Sequence, residues 1–165
     1  MCDNEQQAIE QLGCEALDPD NVKYLIIHCS ATREDQDYTE LDLCKDHAKR
    51  KFLKVGYHFY VRKSGRMTQF RELDEVGAHC KPYNRCSIGI CYEGGICSDG
   101  ITEGNTMTKQ QYQVIGGLLV QLQNQFPNAV IRGHRDMPLA TKKACPCFNA
   151  KQIFKDFIIN EEFPD

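Results

Sequence analysis

The stretch Val22-Lys23-Tyr24-Leu25-Ile26-Ile27-His28-Cys29-Ser30-Ala31-Thr32 decides the fold. Its apolar run is nearly continuous rather than alternating, the pattern of a strand buried on both faces, as in a parallel sheet covered by helices. Ser30 to Thr32 release the chain into a loop, so His28 stands at the C-terminal end of a strand, where open α/β sheets commonly hold their ligands. Downstream, residues 57–63 and 66–71 read as two strands joined at Ser64-Gly65 by a two-residue hairpin loop. Residues 87–92 form a further central strand closed by Gly94-Gly95, residues 94–106 a loop, and residues 129–133 a short strand that delivers His134.

Helical spacing fills the intervals. Thr39 is an N-cap, and Leu41, Cys44, Ala48 and Phe52 recur on one face up to Val55-Gly56, which puts His47 on the charged surface. Thr108 with Gln111 makes a capping box ahead of Tyr112, Ile115, Leu118, Leu119 and Leu122, in a helix that ends before Pro127. Asn149 opens a last helix with Ile153, Phe154, Phe157 and Ile158 as its apolar stripe. The alternation of strands and helices, without repeats, specifies an α/β fold with a single mixed β-sheet flanked by helices.

A chain of 165 residues fits one domain with a real core. Residues 22–165 are expected to form it, and residues 1–21 a loosely packed N-terminal extension whose Ala8, Ile9, Leu12 and Ala16 would make a short docking helix at best. Asp3, Glu5, Glu10 and Glu15, with no apolar run between them, exclude a signal peptide or membrane anchor in this stretch. A net charge of -3 and no basic run longer than Lys49-Arg50-Lys51 argue against a nucleic-acid surface. No membrane and no second subunit are expected as partners. The ten cysteines are scattered and do not outline a disulfide framework. Cys29 and Cys91 sit within apolar runs and read as core, while Cys80 and Cys86 are the best candidates for a bridge.

His28 and His134, at the ends of separate strands, and Cys145, in a Pro-containing loop, are the residues with chemistry to offer. Two neutral imidazoles and one thiolate are three ligands for tetrahedral zinc, leaving the fourth position to water. Each residue alone is as easily a hydrogen-bonded or core side chain, and neither His-Glu-x-x-His nor Cys-x-x-Cys is present. Spacing by itself leaves the question open.

The strings His28-Cys29-Ser30-Ala31-Thr32, Val55-Gly56-Tyr57-His58-Phe59, Gly77-Ala78-His79, Tyr83-Asn84, Ser87-Ile88-Gly89-Ile90 and Lys143-Ala144-Cys145-Pro146 follow one another in a family's order. In them the chain resembles the type 2 N-acetylmuramoyl-L-alanine amidases, above all the T7 lysozyme-like branch, and more distantly the peptidoglycan recognition proteins of animals. The resemblance implies that fold, with zinc (Zn2+) held by His28, His134 and Cys145, and with Tyr57 and Lys143 as catalytic groups. It implies that His79 and Asn84 contact the sugar or stem peptide of a peptidoglycan or muropeptide substrate. The implied reaction is hydrolysis of the amide between N-acetylmuramic acid and L-alanine by metal-activated water. The implied setting is synthesis in the cytoplasm and action on the cell wall after release or export.

Period-two alternation puts Tyr57 and Phe59 on one face and His58 on the other, which leaves His58 outside the site. Where relatives that recycle wall fragments carry a catalytic Glu, this chain has Cys91, and Glu93 could substitute only if its strand bulged. Cys147, beyond Pro146, is a second sulfur that could reach the metal. Two rival readings are a peptidoglycan-binding module without catalysis, and a thiol-redox or structural-zinc protein built on Cys145-Pro146-Cys147.

Overall fold

A computed structural model of the protein describes residues 15–141 and 143–160. Five strands form one mixed sheet in the order β4-β3-β5-β1-β7: β1 (Tyr24–Cys29), β3 (Phe59–Val61), β4 (Met67–Gln69), β5 (Ser87–Tyr92) and β7 (Val130–Gly133). β1 pairs in parallel with β5 and β7, β5 pairs in parallel with β3, and only β4 runs antiparallel. Two short strands, β2 (Thr32–Arg33) and β6 (Gly95–Ile96), pair separately, so the stretch 94–106 holds a strand where a loop alone was expected. Mixed α/β architecture is as the sequence reads.

The two faces of the sheet have different contents. Leu25, Ile27 and Cys29 of β1, Ile88, Ile90 and Tyr92 of β5, and Phe59 and Val61 of β3 point into the main core. There they meet Ile115, Leu118, Leu119 and Leu122 of a helix (Lys109–Gln125) and Phe154 at the end of a short one (Ala150–Ile153). The longer of these helices starts at Thr108 with the expected reciprocal capping box to Gln111. The opposite face carries Ile26, His28, Gly89, Cys91 and Tyr60, over two small apolar clusters instead of one large core. Polar chemistry belongs on that face.

The helix Glu40–Lys49 presents a different side from the one its apolar spacing suggests. Leu43 and His47 are its buried residues, whereas Leu41 is 61% exposed and Cys44 and Ala48 face solvent. The helix stops at Arg50 in a Schellman turn: Lys51 takes a left-handed φ of 64°, its N–H meets Ala48 O, and Phe52 N–H meets His47 O. Phe52 therefore folds back onto the His47 ring, at 5.2 Å, instead of extending the stripe. The expected surface position of His47 is corrected accordingly, since that side chain is 6% exposed.

The hairpin between β3 and β4 has a loop one residue longer than its sequence suggests. Arg62 and Arg66 pair across it, Gly65 N–H closes a turn onto Arg62 O, and Gly65 has φ +89°, so the loop has three residues and ends in a left-handed glycine. Of the stretch 1–21, residues 1–14 lie outside the described region. Within the remainder, Ala16 bridges Glu75 and Leu17 is 3% exposed in the main core. Cys80 and Cys86 are both free thiols: Cys80 is buried with Ile26 and Met137, and Cys86 Sγ turns to the Tyr83 carbonyl. Cys29 and Cys91 are buried core residues. Among the described residues no helix is long and apolar enough to cross a membrane.

Candidate active site

Three separate elements deliver His28, His134 and Cys145 to one spot. β1 sets His28, its penultimate residue, on the polar face, β7 runs through Gly133 into a 3-10 turn (His134–Asp136), and the loop 143–149 returns Cys145 beside both. Their ligand atoms all lie within 4.8 Å of one another, and the His28 and His134 rings stand 4.8 Å apart. Cys145 is held on both sides: its carbonyl accepts from Arg135 N–H at 2.8 Å and its Sγ accepts from Cys29 N–H at 3.2 Å. Pro146 packs so close to Gly133 that a Cβ there would fall 2.8 Å from its ring, and its carbonyl accepts from Tyr92 Oη at 2.7 Å. The loop is thus clamped to the ends of β1, β5 and β7.

The donor set suits a borderline-soft divalent cation such as zinc. Burial, with the neighbouring His134 and the Lys143 ammonium, holds His28 well below the usual imidazole range. Burial and Lys143 lower His134 as well. Both rings are therefore neutral at physiological pH, the form a metal requires. The second sulfur, on Cys147, turns away: it lies 3.9 Å from Cys29 Sγ and 3.5 Å from Gly95 O. Cys147 is not among the three groups whose ligand atoms cluster.

Tyr57 lines the cavity over this cluster, a space of about 190 Å³, with its ring 5.1 Å from His28. It does not share a face with Phe59, which enters the main core, because β3 begins only at Phe59 and strand alternation does not reach back to residue 57. His58 is fully buried, accepting from Gly89 N–H at 3.1 Å and donating to Glu75 O at 2.7 Å. Lys143 is exposed on the rim and lines both this cavity and an adjoining one of about 290 Å³, whose walls include Arg50, Phe52, His79, Lys81 and Asn84. Asn84 is buried, and its Oδ1 accepts from the N–H groups of His79 and Cys80 at 2.9 and 2.8 Å, tying the loop together. Glu93 is committed elsewhere, accepting from Tyr38 N–H, Lys63 N–H and Arg62 Nε.

Sequence reasoning did not single out His47 or Arg50. Both line the cavity, and His47 Nδ1 accepts Gly56 N–H at 3.1 Å just before Tyr57. The i,i+4 pair Leu43 and His47 was the available signal.

The α/β fold collects two neutral imidazoles and a thiol on the floor of a polar groove, a set that could hold a metal ion. The chain belongs to the N-acetylmuramoyl-L-alanine amidase family, whose model matches residues 18–148. It is 39% identical over 129 residues to the endolysin of Enterobacteria phage K11, across 78% of this chain and 83% of that one. To the endolysin of Escherichia phage T7 it is 37% identical over 128 residues, across 78% and 82%. Among solved structures, an endolysin N-acetylmuramoyl-L-alanine amidase, LysCS, from Clostridium intestinale superposes with a TM-score of 0.69 at 26% identity, across 84% of each chain.

Proposed function

We propose that this chain is a zinc-dependent N-acetylmuramoyl-L-alanine amidase that hydrolyses the amide joining N-acetylmuramic acid to L-alanine in peptidoglycan. The observation that carries the reading is the convergence of His28, His134 and Cys145 at the groove floor, in a chain of this family. These three residues would hold the ion. When bound, zinc supplies a Lewis acid and makes water nucleophilic near neutral pH.

The remaining work falls to the chain's own groups. Burial, and then the neighbouring Cys91 thiol, raise Tyr57 well above the ordinary phenol range, so its hydroxyl acts as a hydrogen-bond donor and not as a base. Tyr57 donates toward the oxygen on which charge develops. Lys143 brings a positive charge to the same mouth of the groove and stabilises that oxygen from the solvent side. The larger cavity, with Arg50, Lys81 and Lys143 on its walls and no carboxylate among the described residues that line it, suits the carboxylate-bearing stem peptide. Asn84 fixes the shape of that wall through the backbone of residues 79–80.

The test is incubation of purified protein with peptidoglycan and with a defined muramoyl peptide, following release of the L-alanine amine. We expect release that a chelator stops and added zinc restores. Binding of the glycan without any amine released would favour a non-catalytic recognition module, and full activity in metal-free protein would remove zinc from the reaction.

A further inference from the structure

His79 sits where the resemblance implies a substrate contact, yet both of its ring nitrogens are taken by the protein. Nδ1 lies 2.9 Å from His28 Nε2, and Nε2 lies 3.3 Å from Ser87 Oγ. Ser87 Oγ in turn lies 2.7 Å from the Tyr83 carbonyl oxygen. Directionality can be read from the far end of this chain. A carbonyl only accepts, so the serine's one proton goes to Tyr83 O, and the shorter contact wins over the 3.3 Å one. Ser87 Oγ then has only lone pairs to offer His79, whose Nε2 must carry the hydrogen. In a neutral His79 that leaves Nδ1 bare, so the 2.9 Å bond is donated by His28 Nε2–H. His28 Nδ1 is left with its lone pair exposed, on the side that lies 3.9 Å from Cys145 Sγ.

We propose that His79, backed by Ser87, is a positioning residue that fixes His28 as its Nε2–H tautomer and so presents Nδ1 to the metal. This rests on the zinc reading of the site. The strand beneath is cut to receive the ring: a Cβ on Gly89 would fall 2.6 Å from His79 Cγ and 2.7 Å from Nδ1, and one on Gly77 would fall 2.7 Å from Cδ2. The backbone of His79 is pinned by Asn84 Oδ1, so the ring has a fixed height as well as fixed partners. Metal-binding histidines are usually oriented by such an outer partner, commonly a carboxylate or backbone carbonyl. Here the carbonyl of Tyr83 acts through two intervening side chains, which places the origin of the tautomer choice three hydrogen bonds from the metal.

Long-range 1H–15N spectra of histidine-labelled, metal-free protein read the tautomers directly, and the chain has only five histidines to assign. We expect both His28 and His79 to carry hydrogen on Nε2 and none on Nδ1. A His28 protonated on Nδ1 in the folded apo-protein overturns the proposal even if zinc binds. Chelator competition on two variants adds a second readout. His79→Leu removes the acceptor and should weaken zinc binding ~10–100-fold, while His79→Asn, whose Oδ1 can stand near the lost Nδ1, should recover most of it. Equal affinity in the two variants overturns the assignment. Wild-type protein that holds no zinc would sink the amidase mechanism, but leave the tautomer measurement to stand or fall independently.

Discussion

Gly89→Ala is the most informative single change, because it adds one methyl group at a place where the structure leaves no room. The new Cβ would meet His79 Cγ at 2.6 Å and Cδ2 and Nδ1 at 2.7 Å, so the ring must retreat by about 1 Å to regain ordinary contact. The strand cannot give instead. β5 is central, hydrogen-bonded on both edges, and at Gly89 itself the carbonyl accepts His58 N–H at 2.9 Å and the N–H donates to His58 Nδ1 at 3.1 Å. A ring displaced by that distance loses its 2.9 Å bond to His28. We expect a stability loss of ~1–3 kcal/mol from overpacking and zinc affinity lower by ~10–100-fold. Urea unfolding of metal-free protein measures the first, and chelator competition the second. A Gly89→Ala protein with wild-type affinity for zinc would refute the claim that the His79 ring position governs His28.

Other substitutions probe separate parts of the account. Tyr57→Phe should leave zinc content unchanged and lower kcat ~10²-fold, the usual scale for one lost transition-state donor; unimpaired turnover would remove the phenol from the mechanism. Cys145→Ala should abolish both zinc retention and amine release, whereas Cys147→Ser should retain the metal, and the reverse pattern would exchange the two sulfurs. Burial lowers His58 to about 4 from the 6.5 of an exposed imidazole. The unfolded chain therefore binds a proton that the folded chain refuses, and the stability His58 contributes is present above pH 6.5 and lost as pH falls toward 4, by up to about 3 kcal/mol. His58→Gln should flatten the pH dependence of unfolding across that window; an unaltered slope would assign the acid sensitivity to other groups.

What could be read from the chain follows from which signals are local. β1 and β5 were legible because a strand buried on both faces needs an uninterrupted apolar run, and the helix after Thr108 because its cap and stripe agree. The helix Glu40–Lys49 was legible in position but not in orientation. Its left-handed Lys51 turns Phe52 back onto His47, and no periodicity carried through the turn can show that. Tyr57 was singled out by resemblance, while its facing depends on a strand that starts two residues later than its sequence suggests. His28, His134 and Cys145 are far apart in the chain, and only the parallel pairing of β1 with β7 and the clamped loop after Lys143 bring them together. The His79–Ser87 contact had no sequence signal at all, since it depends on the direction of a hydroxyl proton.

Zinc content together with X-ray absorption at the zinc edge probes the site at its root. The purified protein should contain one zinc per chain, with two nitrogen ligands at ~2.0–2.1 Å, one sulfur at ~2.3 Å and an oxygen completing the shell. Two sulfurs in that shell, or a protein that stays metal-free in excess zinc yet still cleaves peptidoglycan, would contradict it.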